Sequence, residues 1–255
     1  MHVEMIGCTS AGKSTLARAV EQAGRNRGMD VVTGDDLVQK PLALGWVRNE
    51  FVRRRLVDGP ALLACLLAWR RRRELVRLAL DVSRRSPGSL TRKLNLARNA
   101  LRKLGLYEIV RRRLAGRLVL VDNEGVLQAA HNLFVHVSAE ASDADLQAFL
   151  DLTPLPEAVV YVRESGDVLL ERTLARGHRR VPAASERDAR RFVDRAVHVF
   201  EALVRHPGVR ERLVCVEGGR SVALAPEAER EARLRDLTQL LRAGIDLIPT
   251  VRARA

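Results

Sequence analysis

Residues Gly7-Cys8-Thr9-Ser10-Ala11-Gly12-Lys13-Ser14, followed by Thr15, fit the pattern G-x-x-x-x-G-K-S/T at every fixed position. The apolar run His2–Ile6 precedes them, and Leu16, Ala17, Val20 and Ala23 recur behind them at helical spacing, toward a stop at Gly24 or Gly28. Strand, glycine loop and helix in that order leave few folds open. Two glycines let the backbone curl so that successive N–H groups converge, and the helix behind adds its partial positive charge. Lys13 is placed to reach β- and γ-phosphates, and the Ser14 hydroxyl to ligate Mg²⁺. A nucleoside triphosphate site is therefore expected over Gly7, Cys8, Thr9, Ser10, Ala11, Gly12, Lys13, Ser14 and Thr15.

Four more runs rich in Val, Ile and Leu read as strands: Asp30–Thr33, Leu118–Val121, Ala158–Val162 and Leu213–Val216. Helical spacing fills most of the intervals. A helix capped by Asp167 is expected through Leu174, stopped by Gly177. Another starts at Ser185-Glu186-Arg187-Asp188, a capping-box pattern, and a last one runs from Pro226 through Leu234, Leu237, Leu240 and Leu241. Strands alternating with helices predict an α/β fold with a mostly parallel sheet covered on both faces. About 85 residues separate the second and third strands. Their leucine spacing, broken by Ser86-Pro87-Gly88-Ser89, predicts three or four helices inserted into a single domain spanning 1–255.

Charge singles out that insert. Residues 41–117 hold 20 basic and 5 acidic residues, or +15, whereas the rest of the chain, with 24 basic and 26 acidic, is −2. Within it, Ala61–Trp69 followed by Arg70–Arg73 has the make-up of an interfacial helix. Contact with a membrane surface or a polyanion is one reading. The reading preferred on the sequence is a helix whose apolar stripe packs on the core, with its arginines solvated. Aromatic residues are only 4% of the chain, which argues against a base-stacking nucleic-acid surface. The longest stretch without charge, Gly125–Ala139, is 15 residues, short of the ~20 needed to span a bilayer. No basic start or small-residue cleavage site marks a secretory signal. Cys8, Cys65 and Cys215 are few and scattered, so a reducing cytoplasm is expected.

Three groups add chemistry to the glycine loop. Gly34-Asp35-Asp36-Leu37 closes the second strand, putting carboxylates at the edge of the sheet where such folds bind ligands. Asp122 closes the third, followed by Asn123-Glu124-Gly125 and Gln128. Asp122 suits a direct or water-mediated Mg²⁺ contact, with Glu124 assisting; taken singly, each carboxylate could also be a helix cap or loop charge. Arg172 and Arg176 share one helix face before Gly177, and Arg179 and Arg180 follow. Guanidinium forks there would neutralise charge on a transferring phosphate, although basic residues also suit a helix C-terminus on their own. His131 and His136, five apart and without a third ligand, lack zinc-site spacing. Trp46 and Trp69 read as core or pocket residues.

Gly7–Thr15, the Gly-Asp-Asp after the second strand, the Asp after the third and Arg-Thr-Leu-Ala-Arg-Gly-His-Arg-Arg after the fourth together resemble the P-loop small-molecule kinases, including nucleotide and nucleoside kinases. The similarity covers most of the chain outside 41–117. It implies a three-layer P-loop NTPase sandwich with strand order 2-3-1-4-5, ATP and Mg²⁺ as ligands, and an arginine lid over 172–190. The insert would then hold the phosphoryl acceptor. By the same resemblance, Asp35 or Asp36 orients or deprotonates the acceptor, Arg172, Arg176 and Arg179 are lid residues, and Gly218 and Gly219 lie near adenine. Two departures stand out: Ser10 where many nucleotide kinases have a further glycine, and Asp122-Asn123 where thymidylate kinases commonly carry Asp-Arg. The expected activity is transfer of the γ-phosphoryl of ATP to a small molecule: a nucleoside, nucleotide, sugar or sugar derivative. The alternative is a nucleotide-dependent switch that docks a partner on the basic insert. No N-K-x-D string is present to specify guanine.

Overall fold

The computed structural model describes residues 1–26, 28–39, 50–114, 116–122, 124–138, 140, 142–177, 181 and 185–217, with side chains described for all of these except 35, 39 and 50–57. Five strands, β1 (His2–Ile6), β2 (Val31–Thr33), β3 (Leu118–Val121), β4 (Ala158–Arg163) and β5 (Leu213–Glu217), form one sheet in the order β2-β3-β1-β4-β5. Every pairing is parallel. Both the strand positions and the order match the expectation. β1 and β3 are buried along their whole length; β3 is the continuous apolar run expected in a parallel sheet, whereas β1 also buries His2 and Glu4.

Side chains alternate across β1. Val3 and Met5 pack with Val20 of α1 (Lys13–Arg25) and Val31 on one face. Ile6 faces the larger cluster on the other side, with Phe192, Phe200 and Leu203 of α9 (Glu186–Arg205) and with Leu133 of α6 (Ala129–Phe134). α7 (Asp143–Leu152) closes that layer through Phe149 and Leu150. Helices thus cover both faces. β1 lies between β3 and β4, so the chain leaves the sheet in opposite directions on either side of it, and a crevice opens at the carboxyl ends of these strands.

Local signals set most helix ends. Ser185 accepts a hydrogen bond from the Asp188 amide and heads α9, as the sequence suggests. On α8 (Gly166–Arg176) the cap is Ser165, which accepts from Val168, and not the expected Asp167. Asp167 falls inside the first turn, where its charge suits the helix dipole. The Gly34-Asp35-Asp36-Leu37 segment that follows β2 opens a short helix, α2 (Gly34–Gln39), and the Thr33 hydroxyl accepts from the Asp36 amide at its start. A short α10 (Pro207–Arg210) leads into β5.

The insert contributes α3 (Glu50–Leu67), α4 (Trp69–Arg85) and α5 (Leu90–Arg113), with the Ser86–Ser89 turn between the last two. Its packing differs from the expectation in one respect. Ala61, Ala64 and Cys65 of α3 and Ala68 just beyond it are buried, and a Cβ on Gly105 of α5 would stand 1.7 Å from the Ala61 carbonyl oxygen. The two helices meet nearly backbone to backbone, which a stripe of leucines would prevent. Leu63, Leu66 and Leu67 are accordingly exposed at 56%, 65% and 66%, and Trp69 at 41% is neither core nor cavity wall. The apolar stripe does not pack inward as expected. Trp46, Arg179, Gly218, Gly219 and the helix expected from Pro226 lie outside the described residues. Among the described residues, no helix is long and apolar enough to cross a membrane.

Candidate active site

The Gly7–Thr15 segment joins β1 to α1 in three left-handed steps: Gly7 at φ 145°, Ser10 at 68° and Gly12 at 97°. Ser10 is the one non-glycine with positive φ among the described residues. This is the position where many nucleotide kinases carry glycine, and the serine here bears the cost of the same turn. Gly12 heads α1 and, having no side chain, supplies no cap to the first amides of that helix.

These amides open onto a cavity of about 970 Å³. Thr9, Ser10, Gly12, Lys13, Ser14 and Thr15 line it from the loop; Arg18 from α1; Asn99, Arg102 and Lys103 from α5; Glu124, Gln128, His131 and Asn132 from the stretch after β3; and Arg172, Ala175 and Arg176 from α8. Six cationic side chains face a single carboxylate, Glu124, across the described lining. Such a balance suits a polyanionic ligand.

Lys13 is buried. Its ammonium donates to the carbonyls of Gly7 at 2.9 Å and Cys8 at 2.8 Å. Burial pushes its pKa down to about 8, against the opposing pull of Cys8 and Asp122. The Ser14 hydroxyl donates to Asp122 Oδ2 at 2.9 Å. A hydroxyl and a carboxylate so placed are hard oxygen donors, the set Mg²⁺ selects. Glu124 also stands on this wall, ion-paired to Arg102, with Lys103 Nζ 3.9 Å away. Gly7, Cys8 and Ala11 belong to the loop but do not line the cavity; the Gly7 carbonyl accepts from Gln128 as well as from Lys13.

Arg172 donates through one nitrogen to the Ser10 carbonyl at 3.1 Å and to Glu164 at 3.2 Å, which fixes α8 against the loop. Arg176 lines the same wall one turn on. Of the expected arginine lid, these two stand at the cavity, and Arg179 lies outside the described residues. Asp36 is half-buried on α2 and does not line the cavity, while the Asp35 side chain is not among those described.

Several residues at the site were not singled out from the sequence. Asn99, Arg102 and Lys103 occupy i, i+3 and i+4 on α5, one polar face in a leucine-rich helix that carries two of only four lysines; that pattern was the available signal. His131, weighed in the sequence only as a zinc ligand, forms a 3.3 Å contact with Thr9 through Nε2 and packs between Phe192 and Phe200. Glu4, in the middle of β1, is fully buried beneath the site. Its Oε1 accepts from the Gln128 amide at 2.9 Å, and a Cβ on Gly125 would stand 2.0 Å from its carboxyl carbon. Burial raises its pKa to about 7, while the amides of 126–128 and the nearby Lys103 favour its charge. Burial likewise lowers the pKa of Lys103, against the charges of Glu124 and Glu4. The chain matches no protein-family model, and no curated protein matches it significantly.

Proposed function

We propose that the chain is an ATP-dependent phosphotransferase of the P-loop kinase type, acting on a small-molecule acceptor. The observation that carries this reading is the Ser14–Asp122 hydrogen bond at the foot of a cavity rich in cations and headed by an uncapped helix N-terminus. In this reading the amides at the start of α1 and the Lys13 ammonium hold the β- and γ-phosphates. Ser14 and Asp122 would hold Mg²⁺, which when bound neutralises charge on those phosphate oxygens. Lys13 exchanges its bonds to the Gly7 and Cys8 carbonyls for phosphate oxygens. Arg172 and Arg176 approach the transferring group from α8 and stabilise charge that develops there.

The acceptor lies on the α5 side of the cavity, against Asn99, Arg102 and Lys103, so the insert supplies the second substrate's wall. About 970 Å³ lies at the upper end of the range for small-molecule sites, enough for a triphosphate and a modest acceptor together. Glu124 is the carboxylate on that wall among the described residues, and it joins Asp35 and Asp36 as a candidate to orient or accept the acceptor proton.

The test is a phosphoryl-transfer screen with purified full chain, γ-labelled ATP, Mg²⁺ and a panel of nucleosides, nucleotides, sugars and lipid-linked sugars. Label passing to one acceptor class supports the proposal. ATP turnover with no labelled acceptor across the panel favours the nucleotide-dependent switch instead, and absence of any ATP binding overturns both.

A further inference from the structure

The corner where α3 ends and α4 begins combines two kinds of surface that are seldom left in water together. Leu63, Leu66 and Leu67 project outward because the small residues of α3 take the inward positions. Trp69 follows at the start of α4, half-exposed. Arg70, Arg71 and Arg73 come next, all exposed.

A second group of arginines reaches the same corner. α3 and α5 lie side by side in the same direction: Asp58 pairs with Arg98 and Arg102, Ala61 abuts Gly105, and the charge of Glu108 acts on Cys65. Their C-terminal ends therefore coincide, which brings Arg111–Arg113 beside Arg70–Arg73. The buried Glu108 carboxylate ties the groups together, accepting from Arg71 at 3.3 Å, Arg72 at 3.0 Å and Arg111 at 3.2 Å. With Glu74, which pairs with Arg73 at 4.0 Å, two carboxylates stand against the seven guanidinium groups of Arg70–Arg73 and Arg111–Arg113.

We propose that this corner docks on an anionic phospholipid bilayer, with Leu63, Leu66, Leu67 and Trp69 entering the headgroup–acyl boundary and the arginines meeting lipid phosphates. The inference is independent of the catalytic reading, because none of these side chains lines the cavity. Charge decides between occupants. A second copy of the chain would bring two such arginine groups together, and like charges repel. A nucleic acid would satisfy the arginines but leave three exposed leucines in water. A bilayer surface accommodates both at once.

The full chain is sedimented with vesicles of phosphatidylglycerol and phosphatidylcholine in equal parts, and with phosphatidylcholine alone. Expected is binding to the anionic vesicles only, weakening as the Debye length falls from about 30 Å at low salt to about 8 Å at physiological ionic strength. Replacing Leu63, Leu66 and Leu67 together with Ser should weaken it by more than about tenfold, since each loses a burial worth at least that factor. Arg70→Gln with Arg73→Gln and Arg112→Gln should weaken it and flatten its salt dependence; unchanged thermal melting of both variants shows that the fold survives. In a Trp46→Phe background, Trp69 emission should shift to the blue on adding anionic vesicles. The proposal is overturned by no sedimentation at low salt, by binding that the leucine replacements leave intact, or by a dimer in solution that those replacements abolish.

Discussion

The Ser14 hydroxyl and the Asp122 carboxylate, 108 residues apart in the chain, are joined by a 2.9 Å hydrogen bond. One belongs to the first turn of α1 and the other to the end of β3, so the bond measures how closely the glycine loop is held to the neighbouring strand. Ser14 lines the cationic cavity and Asp122 is its partner, and the proposed function assigns this pair to a Mg²⁺ ion.

Asp122→Asn keeps the shape and removes the charge. Folding should change by no more than about 1 kcal/mol, the worth of one partly exposed hydrogen bond. Turnover at limiting Mg²⁺ should fall by at least about tenfold, and a Mg²⁺ titration of wild type and variant reads this directly.

Arg172 should act where charge develops. Arg172→Ala removes the link from α8 to the Ser10 carbonyl and to Glu164. The expected result is a kcat lowered by about 10²-fold or more with a smaller rise in the KM for ATP. Steady-state kinetics separates the two, and a change in KM alone would make Arg172 a binder of the ground state.

Glu4 makes stability depend on pH in a defined direction. Its pKa rises from 4.5 to about 7 on folding, so the folded chain holds the proton more tightly than the unfolded one. The resulting stabilisation is fully present below the unfolded value of 4.5 and is lost as pH rises through about 7, by about 3 kcal/mol at most. Glu4→Gln should remove that slope. Denaturant midpoints at pH about 5 and about 8 should therefore differ less in the variant than in the wild type.

Gly125 has no room for a side chain. An added Cβ would lie 2.0 Å from the Glu4 carboxyl carbon, and the segment carrying Glu124 and Gln128 would have to move. Gly125→Ala should destabilise the fold by about 1–3 kcal/mol, read as a lower melting temperature.

Much of the fold was legible because its signals are local. Each expected strand is present to within a residue at either end, and Ser185 and the Ser86–Ser89 turn act as their residue types suggest. The loop and the arginines of α8 were legible for the same reason, since their chemistry fixes their spacing. The cavity's far wall was not. Asn99, Arg102 and Lys103 reach the cavity only because α5 folds back over the sheet, a long-range event that no local pattern encodes. Glu4 was hidden by its strand: in a run of buried residues it reads as an ordinary interruption, and only the close approach of Gly125 shows its place. The exposed leucines of α3 were misread because the sequence shows how apolar a helix is, whereas close backbone packing at Gly105 decides which of its residues turn inward.

The central claim is that the Gly7–Thr15 loop seats a nucleoside triphosphate. Calorimetric titration of ATP with Mg²⁺ into the wild-type chain and into Lys13→Ala tests it most directly. The account predicts saturable binding by the wild type, weakened by at least about tenfold in a variant whose thermal melting is little changed. Equal affinity in the two proteins, or no binding by the wild type, would contradict it.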